Sequence, residues 1–238
     1  MKDIRETLTN WQGNKVLMTV YPHPDDETMM AGGLLMLAKS LGWKTIVVTL
    51  TNGGAGQIHI AAKGRTLKVI REQELKQSLA LLGVDQLELA DFDDGKLRSE
   101  LPSWSAWVVK QIDTYKSGII VSYDPSGMTG HPDHIAVSCE IQQLAGKTLL
   151  LWSTVPTELR KYIVNPKVQD FVTSPTHVLA LKGGWVRKWW AARAHKSQAL
   201  GKELPVPLGI AMAKYPFEWY HEVKFDTTYT YKFVDFEI

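Results

Sequence analysis

The sequence predicts an α/β fold, a mostly parallel sheet flanked by helices with a C-terminal β addition, and three features predict it. Strand-like apolar runs alternate with helical periodicity along most of the chain, the pattern of βαβ units. Two of those runs, Lys15-Val-Leu-Met-Thr-Val20 and Gly118-Ile-Ile-Val-Ser122, lead into His-Pro-Asp segments whose Pro stands where a helix would carry it as its first residue. After Pro205 and Pro207 the pattern turns aromatic and ends in the alternating Thr228-Tyr-Thr-Tyr-Lys-Phe-Val-Asp-Phe-Glu237, which reads as an appended strand or hairpin. With 238 residues and 45% hydrophobic content the chain can build one large core, and no linker, repeat or low-complexity tract divides it. Residues 1–238 are therefore expected to form a single domain.

Taken in order, the apolar runs place strands near 15–21, 44–50, 86–90, 118–123, 148–153 and 177–181. Helices are expected near 27–42, 62–83, 102–117, 132–146 and 185–200. The helix near 62–83 carries Leu67, Ile70, Leu75, Leu79 and Leu82 at helical spacing, with Gly83 as its stop. In Gly183-Gly-Trp-Val-Arg-Lys-Trp-Trp-Ala-Ala-Arg193 the mixture of aromatic and basic residues invites a membrane-surface reading, but the tryptophans are expected to pack on the sheet as a buried helix face.

The most informative residues are Tyr21-Pro-His-Pro-Asp-Asp-Glu-Thr28, answered about a hundred positions later by His131-Pro-Asp-His134. Both stand at strand-to-helix junctions. If the two strands share one parallel sheet, both junctions fall on its carboxyl edge, where open α/β sheets bind ligands. A lone His-Pro-Asp is equally a helix start whose carboxylate satisfies first-turn amides. Two such junctions, one with an extra acid and the other with an extra His, point instead to a split metal site.

This pair resembles the signature of the LmbE-like, or PIG-L, zinc-dependent deacetylases, which remove N-acetyl groups from glucosamine conjugates. The resemblance runs from about residue 15 to about residue 200. It includes Arg71-Glu-Gln-Glu-Leu75 with Leu82-Gly-Val84, the loop residues Asp94-Gly95, and the late element His195-Lys-Ser-Gln198. Two departures stand out: Gly54 replaces a usual Glu in the loop Thr51-Asn-Gly-Gly-Ala-Gly56, and Thr129 stands where some relatives carry a Tyr. By its glycines alone that loop is either an anion cradle or a turn, and it lacks the established phosphate-binding patterns.

Ligand chemistry and the resemblance assign the same roles. Neutral imidazoles and a carboxylate suit zinc, and another divalent metal such as Fe2+ fits the same set, so His23, Asp26 and His134 are the expected ligands. Asp25 lies beside them without being needed as a ligand and is expected to act as general base toward a metal-activated water. His131 is the candidate acid, or the charge that stabilises the oxyanion. Asp133 is either a first-turn acid or a residue that orients His131. The resemblance raises Arg71 and His195 to substrate-binding candidates, whereas pattern alone would leave both as polar helix residues.

Charge and composition narrow the partners. A net charge of +2 with acids and bases interspersed leaves no footprint for nucleic acid. Cys139 is the only cysteine, which removes an intrachain disulfide and a cysteine-based zinc site. No run approaches bilayer length and the amino terminus lacks a signal-peptide core, so a cytoplasmic enzyme is expected. The reading is a Rossmann-like hydrolase acting on a small N-acetylated amino sugar, with homo-oligomer formation left open. The alternatives are a metal-dependent amidase for a larger conjugate, or a metal- or anion-binding module without turnover.

Overall fold

The computed structural model describes residues 1–202 and 204–225; the alternating segment from Thr228 to Glu237 lies outside the described residues. A parallel block is built from β2 (Val16–Tyr21), β3 (Lys44–Thr51), β4 (Gln86–Phe92), β5 (Ile119–Tyr123) and β6 (Leu149–Thr154). These are the first five strands expected from the sequence. The sheet continues through β8 (Phe217–Glu222), β7 (His177–Ala180) and the short β1 (Lys2–Asp3), in the order β1-β7-β8-β6-β5-β2-β3-β4. Strand β8 runs antiparallel to both β6 and β7 and supplies the C-terminal β addition within the described residues.

Apolar residues fill both faces of the central strands. In β2, Leu17 and Tyr21 enter one core while Met18 and Val20 enter the other, the period-two alternation of a strand buried on both sides. The first core receives α2 (Asp26–Ser40) and α3 (Leu67–Leu82), and Trp104 and Val108 of α4 (Leu101–Tyr115) close the second. Helix α5 (Pro132–Leu144) contributes Ile135 to one core and Val137 to the other. The connections leave the neighbours β2 and β5 in opposite directions, toward β3 and β6 respectively. That reversal opens a crevice at their carboxyl ends.

Local chemistry explains where the elements depart from expectation. Helix α3 starts at Leu67 rather than near 62, because Lys63 and Gly64 adopt φ of 50° and 77°, outside helical geometry. Thr66 caps it by accepting the Val69 amide at 3.4 Å. Helix α7 (Trp185–Ala194) ends at His195 rather than near 200, and its tryptophans are not the buried face that the sequence suggested. Ala191, Ala192 and Lys188 form its buried face, while Trp185 and Trp189 are half-buried and Trp190 is 51% exposed. The stretch after Pro207 begins with a helix, α8 (Leu208–Lys214), before β8, and the sequence reading also lacked α1 (Ile4–Thr9) and α6 (Thr157–Ile163).

A buried ion pair between α7 and β8 enters the α2 hydrogen-bond ladder. Glu218 accepts the amides of Gly33 at 2.6 Å and Leu34 at 2.9 Å, and the Tyr220 hydroxyl at 2.6 Å. Lys188 Nζ lies 2.7 Å from the same carboxylate and donates to the Met29 carbonyl at 2.6 Å. A Cβ at position 33 would lie 2.0 Å from Leu181 and 2.9 Å from Glu218, so only glycine admits the carboxylate. Replacing Glu218 by Ala should cost about 3–5 kcal/mol in denaturant unfolding, because Lys188 is left buried and unpaired. The double variant Glu218→Leu, Lys188→Met should cost less than this single change, because the freed amides and carbonyls of α2 can then bond to one another. A double variant less stable than Glu218→Ala would refute that account.

Candidate metal centre

The two motifs converge at the crevice. His23 and Asp26 come from the β2–α2 junction and His134 from the first turns of α5, and all three are buried, between 6% and 7% exposed. His23 Nδ1 and His134 Nε2 are 3.2 Å apart, and Asp26 Oδ2 lies 3.6 Å from the first and 3.7 Å from the second. Three ligand atoms held by one zinc at roughly 2.0–2.1 Å in tetrahedral geometry would be about 3.4 Å apart. The triangle therefore fits a divalent cation.

The outward side of each of the three side chains is already engaged. His134 Nδ1 lies 2.9 Å from the Gly127 carbonyl, which fixes the N–H there and leaves the Nε2 lone pair facing inward. A Cβ on Gly127 would approach His134 Cβ to 2.7 Å, so a glycine is needed for this close pass. His23 Nε2 lies 3.0 Å from Asp94 and 3.3 Å from Asp133, which leaves Nδ1 as its inward atom. The Tyr123 hydroxyl donates to Asp26 Oδ1 at 2.6 Å, and the His23 amide donates to Oδ2 at 3.0 Å.

These partners set the charges. Burial opposes ionisation of Asp26, but His134, His23 and Tyr123 outweigh it and hold the carboxyl well below its ordinary value. Burial likewise opposes a proton on His23, yet Asp133, Asp26 and Asp94 raise its pKa well above the usual value. Burial lowers His134 to about 4, so it stands neutral, as a metal ligand must. A site with this many carboxylates favours a cation.

Other donor sets overlap this one. His131 brings a ring nitrogen within 4.8 Å of those of His23 and His134, but its Nδ1 accepts the Asp133 amide at 3.1 Å as the cap of α5. Here Pro132 is the first helical residue, as the sequence implied. Asp94 and Asp133 also group with His23, on the opposite side of its ring from Asp26 and His134. Asp133 accepts the amides of Gly95 at 2.7 Å and Leu97 at 3.1 Å, so its carboxylate orients His23 and not His131, as the sequence reading had allowed.

The first motif turns differently. Pro24 lies outside α2, which starts at Asp26, and Asp25 precedes it with φ of 103°. That angle is costly for a residue with a side chain and persists only where the surroundings impose it. Arg71 and Glu27 do so here: the guanidinium donates to the Pro24 carbonyl at 2.6 Å and to Asp25 Oδ2 at 3.1 Å, and Glu27 accepts the Asp25 amide at 3.1 Å. Burial raises the Asp25 carboxyl to about 8 against the opposing pull of Arg71.

Arg71 therefore meets protein groups, including the Gly53 carbonyl at 3.1 Å. Gly53 is a glycine for that reason, since a Cβ there would stand 2.2 Å from the guanidinium. The loop left between an anion cradle and a turn is the seat of Arg71 and, through the Ala55 amide at 2.8 Å, of Asp94. His195 stands behind Glu27, 3.9 Å from its carboxylate, with neither ring nitrogen hydrogen-bonded, and burial lowers its pKa to about 3. Tyr123 and Glu27 went unread as site residues, and Asp94 was noted only as part of a loop. Tyr123 ends β5 at the carboxyl edge and Glu27 directly follows Asp26, positions that could have marked both.

An open sheet with a two-histidine, one-carboxylate cluster at its switch point defines a class of α/β protein with a candidate metal centre. The chain belongs to the PIG-L family: the family's profile, described as GlcNAc-PI de-N-acetylase, matches residues 18–145. A protein of Bacillus cereus designated Probable N-acetyl-alpha-D-glucosaminyl L-malate deacetylase 2 is 28% identical over 76% of this chain and 83% of its own length. Diacetylchitobiose deacetylase of Thermococcus kodakarensis is 33% identical over 50% of this chain and 45% of its own. The solved N,N'-diacetylchitobiose deacetylase of Pyrococcus horikoshii shares the fold at a TM-score of 0.64 and 20% identity, covering 92% of this chain and 89% of that one. No helix among the described residues is long and apolar enough to cross a membrane.

Proposed function

We propose that this chain is a metal-dependent hydrolase that removes the N-acetyl group from an N-acetylglucosamine-type conjugate or a similar small amide, with zinc as its cation. The observation that carries the reading is the inward triangle of His23, Asp26 and His134 with an unliganded carboxylate, Asp25, clamped beside it. The deacetylase designations of the relatives support it. A binding module would gain nothing from holding Asp25 in a strained backbone conformation next to the cluster.

When bound, the cation supplies Lewis-acid polarisation of the amide carbonyl and acidifies the attacking water. Asp25 takes the proton from that water and returns it to the departing amine, which leaves poorly without one. His131 is the oxyanion donor in this scheme. Its Nδ1 accepts the Asp133 amide, so the neutral ring carries its proton on Nε2, and burial lowers its pKa, with His23 adding to the shift. Acting as the acid would require a proton on Nδ1 as well, at the expense of the helix cap. Arg71 positions Asp25, and His195 lies behind Glu27.

The test is an assay of released acetate and free amine across N-acetylglucosamine conjugates, using purified protein of measured metal content. Turnover that scales with bound divalent metal is expected. Absence of acetate release from every conjugate by fully metallated protein would overturn the reading.

A further inference from the structure

The α7 stretch whose aromatic and basic residues invited a membrane-surface reading keeps that chemistry on the outside of the folded protein. Val186, Arg187, Trp190 and Arg193 recur at helical spacing and all face water, with Val186 41% and Trp190 51% exposed. A helix that hides alanines and shows tryptophan and valine inverts the usual arrangement of a surface helix. The Arg193 guanidinium lies over Trp189 at 5.2 Å and over Trp190 at 5.8 Å, which holds charge and ring together at one place. The patch extends beyond α7. Leu81 of α3, 45% exposed, shares an open groove with Trp190 and Arg193, and Ile210 of α8, 56% exposed, shares a second with Val186 and Arg193. Large apolar side chains exposed side by side on three helices mark a contact surface.

Charge decides what it contacts. From Lys182 to Lys214 the sequence holds seven lysines and arginines and one acid, Glu203, although the whole chain carries only +2. Lys188 is paired with Glu218, but Lys182, Arg187, Arg193 and Lys196 are exposed and meet no carboxylate among the described residues. A second copy docking through the same face would set these cations against their own kind. A nucleic acid would answer the charge but give Leu81, Val186 and Ile210 nothing to bury against, since such interfaces are polar. An anionic bilayer answers both. Headgroup phosphates meet the lysines and arginines, the acyl boundary takes the aliphatic side chains, and tryptophan sits at the level between them.

We propose that the outward face of α7, with Leu81 and Ile210 beside it, docks the protein on a membrane surface that carries anionic lipid. The contact is peripheral, made by the side chains of a helix lying along the surface, and needs no spanning segment. It goes beyond the hydrolase reading and does not depend on it.

The experiment is co-sedimentation of the purified full chain with vesicles of phosphatidylcholine alone, and with vesicles of phosphatidylcholine and phosphatidylglycerol in equal parts. Binding at least about tenfold tighter to the anionic vesicles is expected, weakening as sodium chloride screens the headgroups. The double variant Arg187→Glu, Arg193→Glu and the single variant Trp190→Ala should each lower that binding at least about tenfold. Lys110→Glu, a charge reversal on α4 at the opposite face of the sheet, should leave it intact. All four positions are exposed, so the variants keep the fold, which circular dichroism verifies. Absence of binding to anionic vesicles, equal binding to both kinds, or an equal loss in Lys110→Glu would overturn the proposal. In the first case, a multimer that Trp190→Ala dissociates in analytical ultracentrifugation would give the face to a second copy, and a DNA fragment held by the native protein but not by the double variant would give it to nucleic acid. No substrate enters the measurement, so its failure and that of the hydrolase reading are told apart.

Discussion

Replacing His134 by Ala is expected to abolish stoichiometric binding of divalent metal and to lower turnover by more than about a hundredfold, the larger end of what the loss of merely supporting groups costs. His134 supplies one of three inward-facing donor atoms, and the neighbouring imidazole, His131, uses Nδ1 to cap α5. The fold should survive, since the change removes the contacts of Nδ1 with the Gly127 carbonyl and Thr129 and the stacking on Tyr123, each worth about 1 kcal/mol. Elemental analysis and a competition titration against a chelating dye measure the effect. Changing Asp94 or Asp133 to Asn should instead weaken metal binding by about 10–100-fold, because these carboxylates orient His23 without facing the cation. Full occupancy in His134→Ala would remove it from the ligand set, and total loss in Asp94→Asn would move the cation to the other side of the His23 ring.

The parts of this site that could be read from sequence are those set by local order. A strand, a His-Pro-Asp junction and a helix follow one another within a dozen residues, so the fold class and the convergence of His23, Asp26 and His134 at the β2/β5 crevice were legible before any coordinates. The supports around them were not, because each comes from a distant segment whose spacing carries no signal. Asp94 reaches His23 from the loop after β4, and Glu218 reaches α2 from 184 or more residues away. Asp133 faced the same obstacle in milder form: its neighbour in sequence is His131, its partner in space is His23. The start of α3 and the burial of α7 were misjudged for another reason. Periodicity registers which residues are apolar, whereas positive backbone angles at Lys63 and Gly64, and an ion pair seated against Gly33, decide where a helix begins and which face it hides.

Substituting Asp25 by Asn should lower kcat by about a hundred- to ten-thousand-fold, the contribution typical of a general base, while metal content and KM change little. Asn is the informative replacement, because it tolerates positive φ far better than Ala and keeps an oxygen for the Arg71 guanidinium, so the clamp at φ of 103° remains. What it lacks is the capacity to take a proton. A base works in its deprotonated form, so activity in the native enzyme should rise with pH through the Asp25 pKa. Burial raises that carboxyl to about 8 with Arg71 opposing, and a bound cation nearby lowers it further, which puts the acidic limb of kcat/KM below pH 8. The residual activity of Asp25→Asn should be flat across that limb. Near-native turnover with an unchanged pH profile would exclude Asp25 as the base. Loss of metal from the same variant would carry a different meaning, that the carboxylate coordinates the cation directly and that the paired aspartates exchange the roles assigned to them here.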